Sequence, residues 1–237
     1  MQDFTSPSFN NDSQAIAKAS EISFFQKVYL WMCGGLALST VVSLILKDSQ
    51  AWYSFLSSSS LSWLLILGLQ IGLVVGIGAL RGKVSPAVVK GLFLAYAASF
   101  GMTLSLVLMI YPSGVIFKAL LCSSAVYGAM AVYGLATKKS LQAWGGFLFM
   151  GLIGLIVASV VNIFAKSPMI DFIICWIGVL VFAGLTAYDH QKLRVIHAGG
   201  FESSDDESKI VILGALELFL DFINLFMFFV RILGSRD

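Results

Sequence analysis

Two carboxylates stand inside a stretch that is otherwise apolar. In the run Ile210 to Leu233, Glu217 and Asp221 lie four residues apart, so on a helix they share one face. As a helix the run would reach about 36 Å, at roughly 1.5 Å per residue, which is enough to cross a bilayer. A carboxylate near the middle of such a helix costs at least about 2.5–3.5 kcal/mol. Residues of this kind face other helices or a water-filled cavity, and they mark ion or proton pathways. Asn224, one turn beyond Asp221, is placed to hydrogen-bond across helices.

Two further ionisable positions belong with this pair. Asp189, in Thr186-Ala187-Tyr188-Asp189-His190-Gln191, closes the preceding apolar run, and Arg81 closes the second run of the chain. Two aspartates brought together by adjacent helices titrate as a coupled pair and share a proton over some pH range. The shared proton joins the helices, and its loss sets two like charges side by side. That is a physical basis for a pH-sensitive latch, and the carboxylate oxygens of Asp189 and Asp221 also attract a hard cation such as Ca²⁺. The plainer readings are that Asp189 is a solvated helix end, Arg81 an ordinary flanking base, and Glu217 a residue nearer the headgroups. His190 and His197 read as loop residues without metal-ligand spacing, although His190 adjoins Asp189 and can tune its titration.

The elements that must position these groups follow from composition. Of 237 residues, 58% are hydrophobic and 12% charged, against roughly 45–50% and 25% in a soluble domain. Mean hydropathy is +0.90. Runs of about 20 apolar residues recur along the chain, which predicts a polytopic, all-α membrane protein of one domain. Residues 1–26 read as a polar, disordered tail and residues 27–237 as the membrane domain. The spans are expected near Val28–Leu46, Leu61–Leu80, Val88–Ile110, Phe117–Ala136, Trp144–Ala165, Ile170–Tyr188 and Ile210–Leu233, with Asp189 to Lys209 as the most polar loop. Pro7, Pro86, Pro112 and Pro168 all fall outside the spans, as they should, because an interior proline breaks the helical hydrogen-bond ladder. Gly68, Gly72 and Gly76 repeat at a spacing that suits close helix packing within the bundle. Cys33, Cys122 and Cys175 lie in apolar runs and read as small buried side chains.

Ten of the fifteen Lys and Arg residues fall on one side of this arrangement, which the positive-inside rule makes the cytoplasm, together with the N-terminus. The C-terminus then lies outside. A net charge of +2 is too small to point to nucleic acid.

The run Ala215-Leu216-Glu217-Leu218-Phe219-Leu220-Asp221-Phe222-Ile223-Asn224-Leu225-Phe226, followed by Arg231, resembles the signature of the transmembrane Bax-inhibitor-motif (Bax inhibitor one) family. Tyr188-Asp189, Leu92 to Tyr96 with Gly101 to Ser105, Gly134 to Leu141, and Phe149 to Phe164 extend the likeness over about residues 20 to 235. The resemblance implies a seven-helix bundle whose last helix is surrounded by the other six. It also implies a pH-sensitive calcium leak, gated by a latch of Asp189 and Asp221 with which Arg81 can pair. Glu217 departs from the pattern, where a neutral residue is usual, so the family's pH response is not carried over. Nothing in this sequence supports a cell-death role, and the short N-terminal region looks like that of prokaryotic members, which points to a bacterial inner membrane.

The function expected is therefore a cation leak channel, with Ca²⁺ as transported ion and no cofactor. The alternative is a regulatory protein that contacts other membrane proteins, such as a quality-control protease. An enzyme is not expected. Tyr188-Asp189 resembles half of the intramembrane aspartyl protease signature, but Asp221 follows Leu218-Phe219-Leu220 where that family has GxG, and its Pro-Ala-Leu element is absent. A retinal protein is disfavoured because Ile210 to Leu233 contains no Lys.

Overall fold

The computed structural model describes residues 7–59, 61–80 and 82–235, with side chains from residue 14 onward. The described residues form eight helices: α1 (Pro7–Leu46), α2 (Gln50–Ser58), α3 (Leu61–Leu80), α4 (Pro86–Ile110), α5 (Ser113–Ala136), α6 (Gln142–Ala165), α7 (Pro168–Ala198) and α8 (Ser204–Gly234). All but α2 are long and apolar enough to cross a membrane, which bears out the seven expected spans. The protein is an all-α integral membrane protein.

Local sequence accounts for the helix ends. Ser167 accepts a hydrogen bond from the Ile170 N–H, with Pro168 at the first turn of α7. Ser203 accepts from the Asp206 N–H at the start of α8. Asp205, Asp206 and Glu207 fill the first turn of α8 and Arg231 its last, as the helix dipole favours. The α2 helix, in the connection between the first two spans, starts on Ser49, whose side chain accepts from the Trp52 N–H. The Trp52 ring N–H then donates to Ser105 on α4 at 2.9 Å, which anchors this short element.

The polar segment before the first span is not disordered over its described part. It is helical from Pro7 and continuous with the span. Phe24 and Phe25 are buried, and Phe24 packs on His197 and Phe201. Ser20 pairs with His197, and Lys27 with Glu207 at 2.7 Å. These contacts tie the segment to the α7–α8 connection. Residues 1–6 lie outside the described part.

The core gathers on α8. Within its most apolar stretch 61% of residues are buried, against 11% for α3 and α6. The α8 helix packs against α1, α4, α5 and α7, while α3 packs on α4 and α6 on α7. Four helices thus pack closely on α8, and α3 and α6 face it across a cavity. Phe219 of α8 is fully buried, with Phe93, Tyr96 and Phe100 of α4 set edge-on around it at 5.8–6.0 Å.

Backbones approach most closely at Gly101 and Gly134. A Cβ on Gly101 would meet the Ser39 carbonyl oxygen of α1 at 2.7 Å. A Cβ on Gly134 would meet the Ala187 carbonyl oxygen of α7 at 2.3 Å. The repeat of Gly68, Gly72 and Gly76 does not serve this purpose, contrary to expectation: an added Cβ at each would find nothing within 4 Å. These three positions lie on a side of α3 that no other described helix covers. Of the cysteines, Cys175 is buried as expected, but Cys33 is exposed and Cys122 half-buried.

Candidate functional site

The α7 helix does not end at Tyr188. It continues through Asp189 to Ala198, so Asp189 lies inside a helix and is 9% exposed, rather than solvated at a mouth. The polar sequence of this extension is compatible with burial because successive side chains leave the helix toward different neighbours. His190 is fully buried and packs against Phe25, Tyr29 and Tyr127. Its Nδ1 lies 2.6 Å from the Thr186 carbonyl oxygen, which only accepts, so Nδ1 carries a hydrogen. In the neutral ring Nε2 then accepts from the Tyr29 hydroxyl at 2.9 Å. His190 is thus a structural link between α7 and α1, not a loop residue. Gln191 accepts from the Leu141 N–H at 2.6 Å and donates to the Lys139 carbonyl at 2.9 Å. Arg194 donates to the carbonyls of Leu135 and Thr137 at the end of α5. His197, at the end of α7, joins Ser20 and the aromatic contacts already described.

Asp189 and Lys192, one turn apart, take the remaining direction, toward α8. There they meet Glu217, Asp221 and Asn224 along one wall of a cavity of about 820 Å³. The α3 helix contributes Gln70 to the opposite side, α4 contributes Tyr96, and α6 adds apolar residues such as Phe149. The Lys192 ammonium donates to Glu217 Oε1 at 2.6 Å and stands 3.7 Å from Asp189 Oδ1. Asp221 is 3% exposed. Its Oδ2 is the buried side-chain oxygen without a hydrogen-bond partner among the described residues. Leaving such a group unpaired costs about 1–3 kcal/mol, more when it is charged. Asn224 donates back to the Leu220 carbonyl of its own helix at 2.7 Å, so it does not bond across helices as expected.

The structure therefore brings Asp189, Glu217 and Asp221 into one cavity. Arg81 lies outside the described residues. Among those described, no group of three or more His, Cys, Asp or Glu side chains is arranged to hold a metal ion. The cation that stands among the carboxylates is Lys192, which the sequence analysis places only within the polar loop Asp189 to Lys209. Its spacing of three from Asp189 was the available signal, since on a helix such residues share a face. A second ion pair also escaped notice: Arg231 of α8 donates to Asp171 of α7 at the other end of the bundle.

Comparison with known proteins fits this architecture. The sequence model of the family described as inhibitor of apoptosis-promoting Bax1 matches residues 21–237. The chain is 38% identical over 229 residues to the inner membrane protein YbhL of Escherichia coli, covering 95% of this chain and 97% of that one. It is also 38% identical over 215 residues to a protein of Deinococcus radiodurans, covering 91% of each. A protein of Borreliella burgdorferi is 36% identical over 213 residues, covering 90% of this chain and 92% of its own. The likeness thus runs through all seven spans and both carboxylate-bearing helices, and the chain belongs to the Bax inhibitor-1 family.

Proposed function

We propose that this protein is a passive, pH-sensitive leak for calcium or a similar cation, without enzymatic activity, and that Asp189 and Asp221 form its gate. The observation that carries the reading is the Asp221 carboxylate. It is buried near the middle of α8, its Oδ2 has no partner among the described residues, and it lines a cavity together with Asp189, Glu217 and Lys192. A carboxylate held so, at a cost to the fold, suits a group that takes up and releases a proton or a cation. The α3 and α6 helices bound the cavity without packing closely on each other, so a small movement of either would widen it. The distribution of basic residues supports an N-terminus in the cytoplasm. The cavity then lies toward the cytoplasmic end, because Gln191, two residues from Asp189, holds the basic α5–α6 loop. The similarity to an E. coli inner membrane protein supports a bacterial inner-membrane location.

The test is Ca²⁺ entry into liposomes carrying the purified protein, stepped from about pH 8 to about pH 6, with an impermeant dye to report broken vesicles. Wild type is expected to pass Ca²⁺ with a pH dependence that Asp221→Asn and Asp189→Asn displace or abolish. Folded protein that passes no Ca²⁺ at any pH, or mutants that reproduce the wild-type profile, would refute it.

A further inference from the structure

We propose that the Lys192 ammonium is a tethered cation that occupies the carboxylate cavity, and that a mobile metal ion must displace it to bind there. The inference deepens the reading of this cavity as a cation path and rests on it.

Three carboxylates, Asp189, Glu217 and Asp221, line the cavity against the Lys192 ammonium, its one basic group among the described residues, and the neutral polar groups beside them are Gln70, Tyr96, Tyr188 and Asn224. An ammonium carries three donors and no acceptor, so it offers carboxylates what a bound cation offers, a positive point charge. Its position is that of a bridge: 2.6 Å from Glu217 on one helix and 3.7 Å from Asp189 on the other. It makes no contact that satisfies Asp221 Oδ2, which stays buried and without a partner among the described residues. Asp189 and Glu217 therefore form an incomplete shell around a charge that belongs to the protein. The Lys192 side chain is 35% exposed on a flexible four-carbon stem, so it can swing away without unfolding α7. A divalent ion entering the cavity would then gain the Glu217 and Asp189 oxygens that Lys192 vacates, in a cavity that Asp221 also lines.

A purely structural ion pair makes a different prediction from an internal competitor. Removal of a structural pair loosens the α7–α8 contact and leaves cation affinity equal or lower. Removal of a competitor raises affinity, because one like charge a few ångströms from the site is gone.

The experiment measures Ca²⁺ binding by calorimetry to the full-length protein in nanodiscs of zwitterionic lipid, for wild type, Lys192→Met and Lys192→Arg. Thermal unfolding confirms that each is folded. We expect Lys192→Met to bind Ca²⁺ at least about tenfold more tightly than wild type, and Lys192→Arg, which keeps the charge, to stay within about threefold of it. Folded Lys192→Met that binds no tighter than wild type, or does not bind, overturns the inference, as does Lys192→Arg that matches Lys192→Met. Binding is read without flux. Tighter binding by Lys192→Met in a protein that passes no Ca²⁺ would sink the leak and leave the tethered cation standing.

Discussion

Gly134 and Gly128 lie on the same helix, α5, and alanine at the two positions should act in opposite directions. At Gly134 the added Cβ would stand 2.3 Å from the Ala187 carbonyl oxygen and 3.0 Å from Ala187 Cα, all backbone atoms that cannot rotate aside. Contacts of a real Cβ essentially never fall below 3.0 Å, so α5 and α7 must part there by about 0.7 Å. Overpacking of this kind costs about 1–3 kcal/mol, and the gain in helix propensity from Gly to Ala returns roughly 0.5–1 kcal/mol. The net expectation for Gly134→Ala is a loss of about 1–2 kcal/mol. At Gly128 nothing lies within 4 Å of the new methyl, so only the propensity gain remains. At about 2–4 °C per kcal/mol for a chain of this size, Gly134→Ala should melt about 2–8 °C lower and Gly128→Ala about 1–4 °C higher. Thermal unfolding of the purified variants in one detergent reads both. The parting of helices should also weaken the bond from Arg194 to the Leu135 carbonyl, one residue from Gly134, and disturb Asp189, two residues from Ala187. Gly134→Ala melting at or above wild type would show that the α5–α7 contact is not the tight one described.

Gln191→Ala removes the acceptor of the Leu141 N–H and the donor to the Lys139 carbonyl, so the α5–α6 loop should open more often; amide exchange over residues 138–142 is expected to quicken about 10- to 30-fold, and unchanged exchange would show that something else holds the loop. Asp171 and Arg231 pair with side chains 40% and 33% exposed, which limits their coupling by screening to about 0.5–1 kcal/mol; a double-mutant cycle of Asp171→Asn and Arg231→Gln by thermal unfolding checks it, and strictly additive losses would mean that the pair contributes nothing.

The spans could be read from the sequence because hydrophobic length is nearly the whole requirement for crossing a bilayer, and proline placement sharpened their limits. That Asp221 turns away from lipid was legible for the same reason: a carboxylate in an apolar run has to be buried against protein or a cavity, and Asp221 is 3% exposed there. The extension of α7 was not. Hydropathy falls at Asp189-His190-Gln191-Lys192, and a polar run reads as loop unless its partners are known. Those partners lie far away in sequence: Tyr29 for His190, Lys139 and Leu141 for Gln191, Glu217 for Lys192. Each is set by how α1, α5 and α8 stand around α7, which no local pattern encodes. The glycines failed in a similar way. Gly68, Gly72 and Gly76 have the spacing of a packing motif, yet whether a helix face meets a neighbour is decided by the bundle, and the tight contacts fall to Gly101 and Gly134 instead.

The ion pairs between α7 and α8 bear on how the chain enters a membrane. Alone in a bilayer, α8 would carry Glu217, Asp221 and Arg231 unmatched, at about 2.5–3.5 kcal/mol for a charged side chain near the centre and less toward the ends. Its immediate predecessor supplies Lys192 for Glu217 and Asp171 for Arg231. The link between the two helices spans only residues 199–203, so they can leave the insertion machinery as one hairpin whose charges are already matched. Asp221 has no such counterpart among the described ion pairs. It is the charge whose insertion the hairpin does not offset, and the bundle that later closes around it inherits that debt.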